Sequence, residues 1–481
     1  MCRPSSASSR TPSYATETTT QEDLNAGGQG MGVSTGPTTR QVNAALEASL
    51  ATQNGTVAGL QTQQTALQAI DAAQGAVGSG TDLGSQLGNL QSQFSTLLGD
   101  PGSQAAQTAV VGAAQTLAQG INSLSTAYTT QRQTAESNIV SEVATVNTTL
   151  GTIGSLSSQI MELQANGQST ADLENQRDAA VQSLSQMVGV QTLAQPNGDM
   201  LVMTTGGTML PIHSANPLSV TDASMQPGSF YAQPGSVPAG TIPGIMLGST
   251  DVTNQLTGGQ IGANITLRDS TLPTFQAELD EFSENMATGF AGQGLTLFTN
   301  PAGQVPAAAT PTVPPAAAAP VQQNYVGFAA TIQVNAAVQA NPSLVRDGDP
   351  PSGNTTGQAG YTATISKILN NVLGSAALTT NTTGLGAAGN LSAPYSAPQT
   401  LAGLATSIVA TQSQASASVT SQLSTEQAVQ TTLSSQLSSQ DGVNLDAQMT
   451  LMIQLQNAYG ANARVMSTVQ SMFTALLNAV N

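Results

Sequence analysis

Apolar side chains recur at helical spacing along most of this chain. Leu46, Leu50, Val57, Leu60, Leu67 and Ile70 predict a helix from 42 to about 76, with Gly55 and Gly59 as weak points inside it. Leu83, Leu87, Leu90, Phe94, Leu97 and Leu98 predict a shorter second helix. Gly99-Asp100-Pro101-Gly102 stops it, because proline cannot continue the hydrogen-bond ladder and glycine tolerates the turn. The longest signal follows. Leu117, Ile121, Leu124 and Tyr128, then Ile139, Val143, Val146, Leu150, Ile153 and Ile160, keep a period near 3.5 residues from 117 to 160, with Gln131, Ala135 and Ser157 at the intervening seam positions. A helix over that stretch would be roughly 65 Å long, which predicts a rod. Leu173, Val181, Leu184 and Val188 mark another helix from about 170 to 187, after a break at Asn166-Gly167.

The period then changes. Val190 to Leu193 and Met200 to Thr204 flank a Pro-Asn-Gly-Asp turn at 196–199, the signature of a β-hairpin. Residues 205–260 place Gly and Pro every few positions between short Val/Ile runs, as in a small β domain. Helical spacing returns with Leu272, Phe275, Leu279, Phe282 and Met286. Residues 301–320 are almost wholly Pro, Ala, Thr, Gly, Val and Gln, a linker or exposed loop. The stretch 321–395 is mixed, and the last 80 or so residues read as one or two long helices.

The end of the chain carries the sharpest pattern. Leu445, Met452, Tyr459, Met466, Phe473 and Val480 recur every seven residues, and Gln448, Leu455, Asn462, Val469 and Leu476 follow each of the first five by three. This is a heptad seam, widened by Met449, Ala463 and Leu477. Gln448 and Asn462 cost stability there but can fix register, and Asp446 and Arg464 are the only charges along it. A terminal helix packed on its own domain would show the same stripe. A seam this long needs an equally long partner, and another chain can supply one. A single-striped helix is marginal alone in water, so the reading expects a tail that orders on assembly, with Leu445, Met452, Leu455, Tyr459, Met466, Val469, Phe473, Leu476 and Val480 as its interface.

Composition narrows the rest. Only 7% of the 481 residues are charged, and nine Lys and Arg stand against 26 Asp and Glu, giving −17. Lys367 is the single lysine, so clustered cations for nucleic-acid backbone binding are missing. One cysteine, Cys2, excludes a disulfide framework. No apolar run is long enough to span a membrane as a helix, and no secretory h-region is visible.

Candidate chemistry is sparse. His213, the only histidine, has no nucleophile motif nearby and reads as structural or exposed. Asp280, Glu281 and Glu284 fall opposite the Leu272/Leu279 stripe and read as a solvated helix face rather than an acid/base pair. Asp347-Gly348-Asp349 resembles part of a calcium loop but lacks its later ligands, so it reads as a turn. The Gly27–Gly32 cluster lacks the context of a dinucleotide fold. The sequence therefore predicts no enzyme, no cofactor and no metal.

Several segments together resemble a known family. Gly442-Val443-Asn444-Leu445-Asp446, Gln456-Asn457-Ala458-Tyr459 and Ala463-Arg464-Val465-Met466 resemble the end of bacterial flagellar axial proteins, most of all the hook-associated protein 1 family. Leu173-Glu174-Asn175-Gln176-Arg177-Asp178 is similar to that family's helix exit into a β domain, and Gly258-Gly259-Gln260-Ile261-Gly262 with Leu267-Arg268-Asp269 to its return. Gly30-Met31-Gly32-Val33 with Arg40 resembles its leading segment. The resemblance spans roughly 11–300 and 400–481. It implies a secreted structural subunit of the flagellum, exported by the type III route and placed at the extracellular hook–filament junction. The implied partners are copies of itself in a ring, the hook protein, a second junction protein and an export chaperone on the C-terminal helix. The family opens with a helix ahead of an Asn-Thr-Pro-Gly-Tyr-type motif; here Arg10-Thr11-Pro12-Ser13-Tyr14 stands in that place, and the reading expects the N-terminal helix to be lacking.

The expected fold is mainly α with a β insertion, an elongated multi-domain rod of long helices with a small β domain and a C-terminal heptad helix. Its divisions are an extended leading segment (1–41), the first part of a helical rod (42–188), a β-rich domain (189–262), the return of the rod (263–300), a Pro/Ala-rich linker and variable domain (301–398), the last rod helix (399–441) and the assembly helix (442–481). The alternatives are a hook or filament subunit, and a secreted Ser/Thr-rich adhesin.

Overall fold

The computed structural model describes residues 15–16, 19–21, 33–35 and 39–40, and then 42–480 apart from 76–77, 79, 214–215, 307–321, 352, 379, 398 and 442–444. Most of the leading segment, including the Gly27–Gly32 cluster, and most of the 301–320 stretch lie outside the described residues.

Twelve helices carry the described fold. α1 (Ala44–Gln74) starts at Asn43, whose side chain accepts the Leu46 N–H at 3.1 Å. α2 (Leu83–Gly99) starts at Asp82, which accepts the Ser85 N–H at 3.0 Å and its hydroxyl at 2.6 Å. Both caps satisfy N–H groups that a helix start leaves without an internal partner. α3 (Gln104–Ala165) is a single helix of 62 residues, about 93 Å long. It begins thirteen residues ahead of the first seam residue, at a serine cap, Ser103. α4 (Ala171–Met187) turns back along it. α5 (Gly259–Thr266) passes through one π-helical turn, Leu267–Thr271, into α6 (Leu272–Gly292). Pro273, which has no N–H to give, stands at that change of ladder. Four short helices follow: α7 (Phe328–Thr331), α8 (Ala336–Ala340), α9 (Leu344–Asp347) and α10 (Ala363–Asn371). α11 (Leu401–Asp441) and α12 (Leu445–Val480) complete the set.

The strands are short. In the leading segment β1 (Ala15–Thr16) pairs with β4 (Thr39–Arg40), and β2 (Thr19–Gln21) with β3 (Val33–Thr35). β5 (Val190–Ala194) and β6 (Met200–Thr204) form the predicted hairpin, in register from Val190 opposite Thr204 to Ala194 opposite Met200. Its turn needs Gly198, which sits at φ +89°. Met200, Val202 and Thr204 are buried on one face of β6, and β7 (Met209–Leu210) adds to its edge. β8 (Leu218–Ser219), β9 (Met246–Leu247) and β10 (Thr250–Asp251) form a second small sheet. β11 (Phe298–Thr299) pairs with β12 (Gln333–Val334), and β13 (Thr383–Leu385) with β14 (Leu391–Ser392).

Two hydrophobic clusters hold these pieces. The larger joins α2 and the first half of α3 to α6, the short helices and the start of α11; Leu90, Phe94, Leu117, Phe282, Phe290 and Leu404 are fully buried in it. Phe290 bridges Phe94 and Phe298, with ring centroids 5.8 and 5.4 Å apart. The smaller cluster packs Ile139, Val146 and Ile153 of α3 against Leu184 of α4, Val202 of β6 and Ile261 of α5. α3 runs through both.

Two sequence expectations change here. Gly55 and Gly59 do not interrupt α1. A Cβ at Gly55 would strike the Ser185 carbonyl oxygen of α4, and one at Gly59 would stand 2.9 Å from the Gly259 carbonyl oxygen of α5. These glycines let three helix backbones approach one another. The polar position of the α3 seam is also displaced: Gln131 is only half-buried, and the neighbouring Arg132 takes the interior place between Tyr128 and Glu136. A real helix turns 3.6 residues per turn, so a 3.5-residue stripe drifts by one position over this length.

Candidate assembly interface

α11 lies along α1. The pair is held by amide hydrogen bonds at several points. Gln53 Nε2 donates to the Glu426 carboxylate at 2.6 Å, Gln430 Nε2 to Asn54 Oδ1 at 2.7 Å, and Asn43 Nδ2 to Gln440 Oε1 at 2.8 Å. Leu423 and Leu437 supply buried apolar contacts on the α11 side. The outer face of α11 is mainly Ser, Thr, Gln and Ala. Residues 442–444 between α11 and α12 lie outside the described residues.

α12 has the opposite character. Every described side chain from 449 to 479 is exposed. Met452, Leu455, Tyr459, Met466, Val469, Phe473 and Leu476 fall on one heptad ridge, with Tyr459 80% and Phe473 63% exposed. Leu445 and Val480 bound the helix; their side chains lie outside the described residues. Met449 and Leu477 widen the ridge as the sequence indicates, and Ile453, Val465 and Met472 add exposed apolar surface that the seven-residue repeat does not pick out. They fall outside the seam, so only residue-by-residue hydrophobicity would have found them. An isolated protein surface seldom leaves so many large apolar groups contiguous in water unless something covers them. The charges are sparse enough that side-chain ion pairs play little part: Arg464 is the only cation on α12 and Asp446 the only anion.

The arginine-bearing segments have structural partners. Arg177 of α4, buried, donates from Nη1 to the Gly198 carbonyl at 2.7 Å, which ties the helix to the tip of the β5–β6 hairpin. Arg268, in the π-helical turn, is fully buried and donates to Glu136 of α3 at 2.6 Å and to Asp269 at 2.7 and 2.8 Å. Its guanidinium lies 6.0 Å from the Tyr231 ring. Burial alone would push its pKa down, but Asp269 and Glu136 hold it above the ordinary value. Arg132 donates to the carbonyls of Arg268 (3.0 Å), Gln226 (3.1 Å) and Ser229 (2.6 Å), so backbone dipoles solvate it. Burial, partly opposed by Asp269, brings its pKa down to about 10.

The acids of α6 are a correction. Asp280 and Glu281 are buried, and Glu284 is half-buried; none forms a solvated face. Asp280 accepts the backbone N–H groups of Gly327 (2.8 Å) and Ala329 (2.9 Å) and the Gln276 amide (3.1 Å). Glu281 accepts the Tyr325 hydroxyl at 2.6 Å and the Asn381 N–H at 2.6 Å. The physical reason is that α6 is covered on both sides, by α3 and α11 on the apolar stripe and by the 322–395 chain on the other. Burial raises Asp280 and Glu284 to about 7.

The remaining candidates are local. His213 Nε2 lies 2.9 Å from Asp199 Oδ1 at a part-exposed site. Asp347 closes α9 beside Gly348 at φ +77°; burial opposes its ionisation, but Arg346 and Asn354 hold its pKa below the ordinary range. Asp349 accepts the Thr296 N–H and hydroxyl at 2.7 and 2.6 Å. Among the described residues no group of three or more His, Cys, Asp or Glu side chains is placed to hold a metal ion.

Comparison with known proteins gives these features relatives. The model described as the flagellar hook-associated protein FlgK helical domain matches residues 67–304, and the one described as the flagellar basal body rod FlgEFG protein C-terminal matches residues 435–479. Flagellar hook-associated protein 1 from Salmonella typhimurium (strain LT2) and from Salmonella typhi are each 27% identical over 213 residues, 43% of this chain and 37% of theirs. The match thus spans little more than a third of those relatives. The solved flagellar hook junction protein FlgK from Burkholderia pseudomallei is similar at 24% identity and a TM-score of 0.43, over 53% of this chain and 46% of that one. Over these stretches the long helices with their small β insertion are similar to the FlgK helical domain, and the C-terminal helix to the C-terminal segment of the basal body rod proteins.

Proposed function

We propose that this chain is a structural subunit of the bacterial flagellum, working outside the cell at the hook–filament junction. The observation that carries the proposal is the unpartnered ridge of α12, from Met452 to Leu476, inside the segment matched by the rod-type C-terminal family. A helix of this length with one broad apolar side gains stability by zipping against neighbouring helices, at about 25 cal/mol for each Å² of apolar surface removed from water. The partners are neighbouring copies of the chain, arranged as a ring, with the hook protein on one side and a second junction protein on the other. Before assembly the same ridge is covered by an export chaperone, and the tail is loose until it docks. The subunit leaves the cell through the type III export route and performs no catalysis.

Deleting residues 442–481 is the direct test. The truncated chain is expected to keep its helical circular dichroism and its unfolding midpoint, but to lose both ring formation and chaperone capture. Capture of the chaperone by the truncated chain at full strength would overturn the role given to α12. The rod-type match also favours a second reading, a hook or rod subunit. Immunogold labelling of isolated flagella separates them: a single band at the hook's distal end supports the junction, and labelling along the hook supports the alternative.

A further inference from the structure

α12 concentrates the accessible sulfur of the molecule. Among the described residues five methionines are exposed, and four of them, Met449, Met452, Met466 and Met472, lie on this helix; Met209 of β7 is the fifth. Met187, Met200, Met225 and Met286 are buried, and Met161, Met203 and Met246 are half-buried. The single cysteine, Cys2, lies outside the described residues, so among them no thiol competes for an oxidant. Position matters as much as exposure. Met452, 58% exposed, and Met466, 65% exposed, stand two heptads apart in the series from Leu445 to Val480. Both therefore sit on the ridge that a neighbouring helix has to cover, with Leu455 and Val469 one turn further on. An unbranched thioether suits such a ridge, because it is apolar and adapts its shape to what packs on it. It is also the side chain there that a mild oxidant alters.

We propose that Met452 and Met466 form an oxidation site that switches off the α12 ridge in unassembled subunits. The proposal rests on the reading of α12 as the assembly helix and adds its regulation. A peroxide supplies the oxygen. The thioether sulfur attacks a peroxide oxygen, the O–O bond breaks, an S–O bond forms, and with hydrogen peroxide the remainder leaves as water. Sulfur loses two electrons and the peroxide gains them. The product is a sulfoxide, a polar hydrogen-bond acceptor in place of apolar surface. Closing the ridge then strips water from that acceptor. The amides one turn earlier on the seam, Gln448 and Asn462, match it only in part, and the two sulfoxides together weaken association on the order of tenfold or more. A subunit already zipped to its neighbours has both sulfurs covered and keeps them reduced, so the switch acts on free chains. It is reversible, because sulfoxide reductases return the thioether.

The experiment treats the full chain with hydrogen peroxide, maps oxygen addition by peptide mass spectrometry, and follows binding to isolated hooks by sedimentation over a range of chain concentrations. Oxygen is expected at the α12 methionines and Met209 ahead of the buried ones, with the half-saturating concentration raised on the order of tenfold or more. Met452→Leu combined with Met466→Leu keeps the apolar bulk and removes the sulfur. Treated alike, this double variant is expected to bind as the untreated chain does, although Met209, Met449 and Met472 are oxidised in it. Unchanged binding by a chain oxidised at both positions, or an equal loss in the double variant, would overturn the proposal. A second readout needs no variant: methionine sulfoxide reductases of both epimer specificities are expected to restore binding, and binding still lost after both sulfurs are reduced would place the damage elsewhere and sink the switch. Undiminished hook binding by an untreated chain lacking residues 442–481 is the separate result that overturns the reading of α12 itself, and the proposal with it.

Discussion

Arg268 and Arg177 show how a chain with nine cations uses them. Both are buried where the helices meet the β insertion, and both bind groups remote in sequence: Glu136 for Arg268, and the Gly198 carbonyl for Arg177. Arg268→Met leaves Glu136 buried without its ion-pair partner, and the expected cost is about 3–5 kcal/mol in urea unfolding. Adding Glu136→Leu is expected to return part of that loss, because the second change removes the stranded charge; no recovery in the double variant would mean that the pair is not the source. Arg177→Ala is expected to cost about 1–3 kcal/mol and to raise hydrogen exchange first at the 196–199 turn. The sequence displays these arginines within recognisable segments, but not their purpose, since their partners come from packing. The acids of α6 were illegible for a related reason. Periodicity finds the strongest apolar face of a helix; it cannot show that Ala277, Ser283 and Ala287 let a second layer close over the other side.

At the scale of elements, spacing along the chain reads α1 to α4 and the β5–β6 hairpin well, because caps, breakers and alternation are local. The short helices and strands between 322 and 395 are different. They are held by contacts such as Asp280 to Gly327 and Ala329, and Asp349 to Thr296, which no local pattern announces. Nor does periodicity reveal that Gly55 and Gly59 serve close helix approach. Gly55→Ala gains helix propensity worth about 1 kcal/mol, yet it must push Ser185 away. A net loss of about 1–3 kcal/mol is expected in thermal unfolding, and a stabilised variant would show that α1 and α4 have room to part. α12 obeys the reverse rule. Leu455 is exposed, so Leu455→Asp is expected to change the stability of the monomer by no more than about 0.5 kcal/mol while preventing assembly. Assembly by this variant at the normal concentration would remove Leu455 from the interface.

The whole molecule titrates in two directions. Burial raises Glu142, Asp280 and Glu284 to about 7, and what these groups contribute as neutral acids is lost as pH climbs through neutral. Asp82, Asp199 and Asp347 lie below the ordinary range: burial opposes this, but hydrogen bonds from Ser85, His213 and Arg346 respectively outweigh it. Their contribution is lost as pH falls into the acid range. The unfolding midpoint is therefore expected to be highest at about pH 4–5 and to decline between about pH 5 and 7; a midpoint that rises across that interval would contradict the burial of the α6 acids. α3 threads both hydrophobic clusters as one uninterrupted helix, with Arg132 and Glu136 buried where one cluster gives way to the other. The two cores consequently share a single shaft. Torque or tension entering at either end is carried to both cores along its backbone ladder, as through a drive rod.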